Sequence, residues 1–568
     1  MNLFTKMRLL AHIAHWRLTW SQRDLDYRVK GVKNPKFMTA REAVKLIPDE
    51  ATVISSGMAG NTRCSVFFYA IRELFERTGH PQHLTWMTVG AQGSRGRVPG
   101  TLEELALPGL ISRQISGHLE TYKAQLRMAD AGQIELHTMA QGVQTFLLEA
   151  QARGEQYLDL EAGVGTFLDP RVGGGTAVTP DASENFVEAA GDKLRYHLPP
   201  FNVAVFVLPY ADKEGNLYKH HTCMVTESLE SALAVRRNGG VVLGSVCDII
   251  EKDESRIFIK AEDVDAIVVN PYSEQTGSVQ QRKYWPMFTV EHRVDTNDAV
   301  DQLKFANNVL KITPVRGRAD NALARLAASM LVKATRPGAM VNIGVGLPEE
   351  VSRLLYEGGM HEDVTFFTET GVVGGLPTPG IFFGAAINPL EIIPSAQVFH
   401  RAYEKLDVTI LGLLEADSDG NVNVSNRGEG AINYVGPGGF PDLTTAANTI
   451  FFVGSWMAHG KFDIVDGELK ILKTGPCKFM EHVREITFSG KMGLKRKQNV
   501  YYVTNVGVFK LTEQGMMLVE VMPGIDVQRD ILEVSPMKIV LPEGEIPVVP
   551  RQIVTGENFK LKWENGAD

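Results

Sequence analysis

Apolar residues along the chain fall into short runs that alternate with helix-period segments and glycine turns. Helical spacing over 40–47 leads into an apolar run at 51–55, the turn Gly57-Met58-Ala59-Gly60 and a second helical pattern over 65–77. The same succession returns later, with a helix over 321–335, a strand over 339–343, the turn Gly344-Val345-Gly346 and a helix over 348–356. Strand, glycine turn and helix in succession predict a βα unit of a parallel sheet. A second pair of segments is closer to identity. Ala211-Asp212-Lys213-Glu214-Gly215-Asn216-Leu217 matches Ala416-Asp417-Ser418-Asp419-Gly420-Asn421-Val422, each behind an apolar strand, 203–208 or 408–414. Asp and Asn tolerate left-handed backbone and Gly needs no Cβ clearance, so each is a turn. Two such turns in opposite halves predict an internal duplication. The two landmarks repeat at offsets of 287 and 205 residues, so the first half carries about 80 extra residues between them.

The chain has 568 residues, too many for one ordinary core. The predicted organisation is α/β, with two tandem related domains of mostly parallel sheet at 36–295 and 319–535. An arm (1–35), a charged linker (296–318) and a C-terminal tail (536–568) complete it. Hydrophobic residues at 44% and charged ones at 22% exclude a disordered or fibrous chain. A net charge of −9 argues against general nucleic-acid binding. The four cysteines, Cys64, Cys223, Cys247 and Cys477, form no CxxC, which disfavours a disulfide scaffold or a cysteine-built zinc site and fits a reducing compartment. No apolar run approaches the ~20 residues of a spanning helix. The N-terminus shows no clean signal-peptide pattern, and a cytoplasmic location is expected.

The first 35 residues depart from the rest, with seven basic residues against two acids, Asp24 and Asp26. Residues 2–20 predict a helix. Asn2, Thr5, Arg8, His12, His15 and Thr19 form one polar stripe, and apolar residues from Leu3 to Trp20 fill the remaining face. A helix so apolar should not stand alone in water. Three readings stay open: an arm packed on its own body or on a partner subunit, a membrane-surface helix, or a mitochondrial-type presequence.

Glycine clusters recur at 57–60, 90–100, 163–175, 344–346, 371–384 and 436–439. Such turns at strand ends let backbone N–H groups approach a ligand, although each taken alone is also an ordinary tight turn. No GxxxxGK[ST] is present, and Gly344-x-Gly346 lacks the third glycine of a dinucleotide fingerprint. The most unusual segment is VTFFTETGVVGGLPTPGIFFGAAINP, 364–389. Its strand ends at Phe367, and Glu369 follows in an acid-poor, glycine-rich setting, where open α/β sheets bind their ligands. Glu369 is therefore a candidate nucleophile or base, or a carboxylate held by loop N–H groups for structural reasons.

Over roughly 36–535 the chain resembles the family I CoA-transferases, in the single-chain branch of acetate/propionate and short-chain acyl-CoA:acetate or 3-ketoacid enzymes. Glu369-Thr370-Gly371 matches the family's Glu-x-Gly motif. Gly374-Gly375 and Phe383-Gly384-Ala385-Ala386-Ile387-Asn388-Pro389 match its continuation. Further matches are Gly165–Arg171 with Gly173–Gly175, ahead of that motif, and Asp419–Ser425, Gly438-Gly439-Phe440-Pro441-Asp442, Ile486–Gly490, Pro523–Asp526 and Arg529–Leu532 after it.

The resemblance implies an active site between the halves, with Glu369 as nucleophile. It implies that the amide of Gln141, in Gln141-Gly142, and a backbone N–H of Gly438 or Gly439 form an oxyanion site. It places Gly344-Val345-Gly346-Leu347, together with Gly374 and Gly375, near bound coenzyme A. Acyl-CoA and a short-chain acid such as acetate or propionate are the implied substrates, with a 3-oxo acid or dicarboxylate open. A homodimer or homotetramer is implied, and neither a metal nor a tightly bound cofactor is expected. His220-His221 is read as a loop pair and Cys64 as a packed thiol or an acyl-pocket residue. The segments Gly57–Cys64 and His400–Glu404 depart from the family pattern. An acyl-CoA hydrolase and a non-enzymatic acyl-CoA sensor are the alternative functions.

Overall fold

The computed structural model describes residues 1–58, 61–93, 98–271 and 285–564. Ala59 and Gly60, and with them part of the first glycine turn, lie outside the described residues.

Two sheets form the body. In the first, the strands Ala266–Val269, Val241–Ile250, Val203–Asp212, Thr52–Ser55, Leu84–Thr88, Ile111–Ser116 and Glu135–Thr138 lie side by side and all parallel. In the second, the parallel core runs Thr365–Phe367, Met340–Ile343, Leu406–Leu411, Ala447–Gly454, Asn499–Thr504. Short antiparallel strands extend both of its edges. Every residue of Thr52–Ser55 is buried, as is nearly all of Val203–Asp212, which is why these strands are apolar on both faces.

The duplication is visible in the strand order. Thr52–Ser55 is flanked by Leu84–Thr88 and Val203–Asp212; Met340–Ile343 is flanked by Thr365–Phe367 and Leu406–Leu411. The crossover helices Ser65–Thr78 and Glu349–Glu357 follow the equivalent strands. The Asp-Gly-Asn turns are built alike. Asp212 Oδ1 accepts from Gly215 and Asn216 N–H at 2.9 and 3.0 Å, and Asn216 Nδ2 donates to its other oxygen at 2.8 Å. Asp417 accepts from Asp419 and Asn421 N–H at 3.1 and 2.9 Å, and from Asn421 Nδ2 at 3.1 Å. The extra residues of the first half supply the strands Ile111–Ser116 and Glu135–Thr138, the helix Gln141–Arg153 and a small antiparallel sheet at 157–197.

The halves interlock. Val372, Leu376, Phe382 and Ile387 of the second half belong to a core built mainly by the first. Phe146, on the helix Gln141–Arg153, joins the core of the second. The segment expected as a linker contains the helix Thr296–Leu310, capped by Asp295. Of the stretch expected as a tail, residues 536–564 continue the second half: Ile539–Val540 pairs with Gly515–Val521, and the helix Arg551–Thr555 packs on Arg318–Ala334.

The arm forms the helix Leu3–Thr19, with Asn2 accepting from Thr5 N–H at 2.8 Å. It rests on the helix Thr296–Leu310, and the Met1 ammonium pairs with Asp301 at 2.9 Å. Only Leu9 and Trp16 of this helix are buried. The polar stripe therefore does not mark the outer side: Thr5, His12 and Thr19 sit half-buried while Leu3, Met7 and Leu18 are exposed. Among the described residues no helix is long and apolar enough to cross a membrane.

Candidate active site

Glu369 sits two residues beyond the strand Thr365–Phe367, in a tight turn closed by Gly371 N–H to Thr368 O at 3.1 Å. Gly371 has φ +93°, and a Cβ there would lie 1.8 Å from Ile393 O. Only glycine fits, so the Glu-x-Gly spacing has a backbone cause. Thr370 Oγ1 donates to Gly384 O at 2.6 Å, and Ser395 Oγ donates to the Glu369 carbonyl at 2.9 Å. The first half braces the same turn. Thr226 N–H donates to Thr370 O at 3.1 Å, and Ser395 N–H donates to Thr226 O at 2.8 Å. Buried Glu230 accepts from Ala396 N–H at 2.9 Å, next to Ser395. The backbone around the candidate nucleophile is thus held by groups of both halves.

The Glu369 residue is partly exposed, yet its carboxyl is closely surrounded by protein. That desolvation raises its pKa above the ordinary 4.5. A carboxylate so placed is poorly solvated, which favours attack on an electrophile.

Gln141 opens the helix Gln141–Arg153 of the first half. Its N–H donates to Gly438 O at 2.9 Å, and Gly142 N–H donates to Asp442 Oδ2 at 2.8 Å, both across the interface. Its side-chain amide donates to Val89 O at 3.1 Å. Val89 follows the strand Leu84–Thr88, which holds in the first sheet the place that Thr365–Phe367 holds in the second. The first-half counterpart of the Glu369 turn therefore anchors the glutamine.

The two glycines separate in role. Gly438 N–H is committed to Gly117 O at 2.7 Å. Gly439 is the one beside the carboxylate: a Cβ there would lie 3.1 Å from Glu369 Cγ, 3.4 Å from Glu369 Oε1 and 3.5 Å from Gln141 Oε1. Three of the residues singled out from the sequence thus meet at one point, between the halves.

Gly344–Leu347 lies at the end of Met340–Ile343, the strand next to Thr365–Phe367 and parallel to it. The two turns share one edge of the sheet. Val345 is exposed there, and Gly346, at φ +96°, has open space where a Cβ would be. Gly374 and Gly375 have a different surrounding. Cβ atoms there would lie 2.4 Å from Leu390 Cγ and 2.3 Å from Ile387 O, so close packing accounts for both glycines.

Of the departing segments, the described residues Met58 and Asn61 of Gly57–Cys64 reach the site's border. Asn61 Nδ2 donates to Phe383 O at 3.2 Å, and Met58 lies close to both Gly90 and Gly384. Cys64 is a buried thiol whose Sγ faces Ser56 O and Val205 O at 3.4 Å, and burial pushes its pKa far up. His400–Glu404 is the last turn of the helix Ser395–Glu404. His400 stacks on Phe146 and meets Glu149 at 2.7 Å. His220 stacks on Tyr210, and His221 Nδ1 lies 3.0 Å from the Tyr210 hydroxyl. Among the described residues no three His, Cys, Asp or Glu side chains gather as a metal-ligand set.

Sequence reasoning names Asp442 only as the end of the Gly438–Asp442 match, without a role, and passes over Ser395, Glu227 and Glu230. Asp442 carried a signal, an acid in the apolar run after Gly438-Gly439; burial pushes its pKa up to about 7. Glu227 and Glu230 are fully buried and pushed up to about 8 by burial, Glu227 also by Glu230. They sit in the helix-period segment that follows Thr226 and match no motif.

No protein-family profile matches the chain. It is 33% identical to the caffeate CoA-transferase of Acetobacterium woodii over 513 residues, 88% of this chain and 93% of that protein. It is 31% identical to the acetate CoA-transferase YdiF of Escherichia coli K12 over 524 residues, 89% and 94% of the two chains. The crystal structure of the acyl-CoA transferase YdiF from E. coli O157:H7 superposes with a TM-score of 0.80 at 28% identity, covering 93% of this chain and 97% of that one. The same E. coli protein as a thioester complex with CoA gives a TM-score of 0.79. With that identity over nearly its whole length, and with its two α/β halves meeting at Glu369, the chain belongs to the CoA-transferases, enzymes of the transferase class.

Proposed function

We propose that the protein moves CoA from a short-chain acyl-CoA to a free carboxylic acid through a glutamyl-CoA thioester on Glu369. The observation that carries this reading is the meeting of Glu369, Gln141 and Gly439 at one point. A Glu369 oxygen attacks the thioester carbonyl, the C–S bond breaks, and CoA thiolate leaves a mixed anhydride. The thiolate then attacks the glutamyl carbonyl; its bond to the anhydride oxygen breaks, and the first acid departs as carboxylate. The acceptor acid reverses both steps. No ATP enters, because one thioester is exchanged for another, and the covalent relay requires ping-pong kinetics.

Each attack puts negative charge on a carbonyl oxygen. The Gly439 N–H and the second N–H of the Gln141 amide, whose first is held by Val89 O, supply the donors in this reading. Gly344–Leu347 is the proposed approach for CoA, being the open glycine turn on the same sheet edge; Gly374 and Gly375 serve by shaping the loop. The thioester complex of the E. coli relative with CoA supports covalent chemistry in this fold. Acetate and propionate are the first acids to try, given the acetate CoA-transferase relative; the caffeate enzyme makes an aromatic acid the second. A homodimer or homotetramer belongs to the same reading.

The test is to incubate the protein with acetyl-CoA or propionyl-CoA alone, reduce with borohydride and map the modified peptide by mass spectrometry. Modification at Glu369, absent in Glu369→Ala, is the expected result. CoA binding without any adduct across several acyl-CoAs would overturn it.

A further inference from the structure

The helix Leu3–Thr19 has two apolar faces. Leu9 and Trp16 rest on the body. On the far side, Leu3, Met7, Leu10 and Leu18 follow one another at helical spacing, and Phe4 stands at the edge of their arc. Their exposure is high: 73% for Leu3, 76% for Phe4, 61% for Met7 and 84% for Leu18. At 100° per residue, Lys6 and Arg17 fall on one flank of this stripe and Arg8 with His15 on the other. All four are exposed, and no acid precedes Asp24. An apolar strip between two cationic borders is how a helix lying in a lipid interface is built.

We infer that this face seats the protein on an anionic lipid surface, with the helix lying in the headgroup plane and its stripe in the acyl boundary. Charge favours this partner. The chain as a whole carries −9, so approach to an anionic bilayer needs a local cationic patch, and the arm supplies it beside the apolar strip. The strip's size disfavours a second copy as the sole cover. It is roughly 26 Å long and 10 Å wide, a few hundred Å², well short of the ~800 Å² per partner that a stable protein interface buries. An amphipathic strip with flanking cations is by contrast sufficient for reversible lipid binding.

Flotation of the full-length protein with vesicles tests this. One arm uses phosphatidylcholine containing phosphatidylglycerol, a second phosphatidylcholine alone, and a third the anionic vesicles at raised salt. A Leu10→Asp/Leu18→Asp variant is run beside the wild type, with its mass measured by light scattering. The wild type is expected to float with anionic vesicles and to partition roughly a hundredfold less onto neutral ones, the effect of three surface cations. Salt should strip it, and the variant should stay in solution with unchanged mass and unchanged CoA-transferase activity. Failure to float on anionic vesicles, equal flotation on neutral ones or flotation of the variant overturns the inference. A fall in the variant's oligomeric mass also overturns it, because the face then joins copies of the chain.

Discussion

Gly439 stands against Glu369 so closely that a Cβ on the glycine would lie 3.1 Å from the glutamate Cγ. Gly439→Ala therefore pushes the carboxyl or the Gly439 backbone out of line. On the proposed reading of the Gly439 N–H as an oxyanion donor, the expected outcome is a fall in kcat of about 10²–10³-fold, the usual cost of displacing one. Melting temperature should barely move, since Gly439 has an ordinary negative φ of −83° and the neighbouring Glu369 side chain can give way. Steady-state kinetics beside a thermal melt checks both halves of the expectation. Gly438→Ala is the contrast: nothing lies within 4 Å of its Cβ position, but its φ of +57° makes it a stability variant first.

Gln141→Ala removes the side-chain amide, held by Val89 O, that the proposed reading makes an oxyanion donor. Its backbone bond to Gly438 O is unaffected by the change. The loss should again be about 10²–10³-fold in kcat with a smaller change in KM. A variant that lowers only binding, with kcat intact, would remove Gln141 from the oxyanion role.

Gly371→Ala strikes the fold. With φ +93° and a Cβ position 1.8 Å from Ile393 O, the substitution cannot be absorbed by a side-chain rotation. The expected destabilisation is several kcal/mol, of order 4 or more, because backbone has to move on both sides of the turn. Thermal unfolding or recovery of soluble protein measures it, and a near-normal melt would contradict the turn geometry.

The parts legible in the sequence are those where one local pattern does one job. The βα units, the paired Asp-Gly-Asn turns and the Glu369 strand end are of this kind, because strand burial, left-handed turns and a lone acid leave marks within a few residues. The choice between Gly438 and Gly439 was not legible: it depends on Gly117, some 320 residues away, which occupies one N–H. Ser395, Glu227 and Glu230 were equally hidden, since a brace made by folding two halves together leaves no spacing to read. The arm shows the opposite error. Its helix was plain, but a polar stripe does not say which side faces water when a second apolar face exists.

The buried acids make stability fall as pH rises. Glu227 and Glu230 have folded-state pKa values pushed up to about 8 by burial, against an ordinary value of 4.5. Between those values the folded chain holds protons that the unfolded chain has released, so the stability they contribute is complete at low pH and drains as pH climbs through about 8. Asp442, pushed up to about 7, acts in the same direction over a lower range. His137, lowered to about 4 by burial, works the other way but only below its ordinary 6.5. In the window from pH 6.5 to 8.5 the two glutamates weigh most, with Asp442 adding to the fall up to about pH 7 and Lys478, lowered to about 8 by burial, opposing it at the upper end. The melting temperature should drop across it, and Glu230→Gln should flatten the drop while its amide oxygen keeps the bond from Ala396 N–H. A variant whose melting curve still tracks pH like the wild type would show that Glu230 is already ionised in the folded protein.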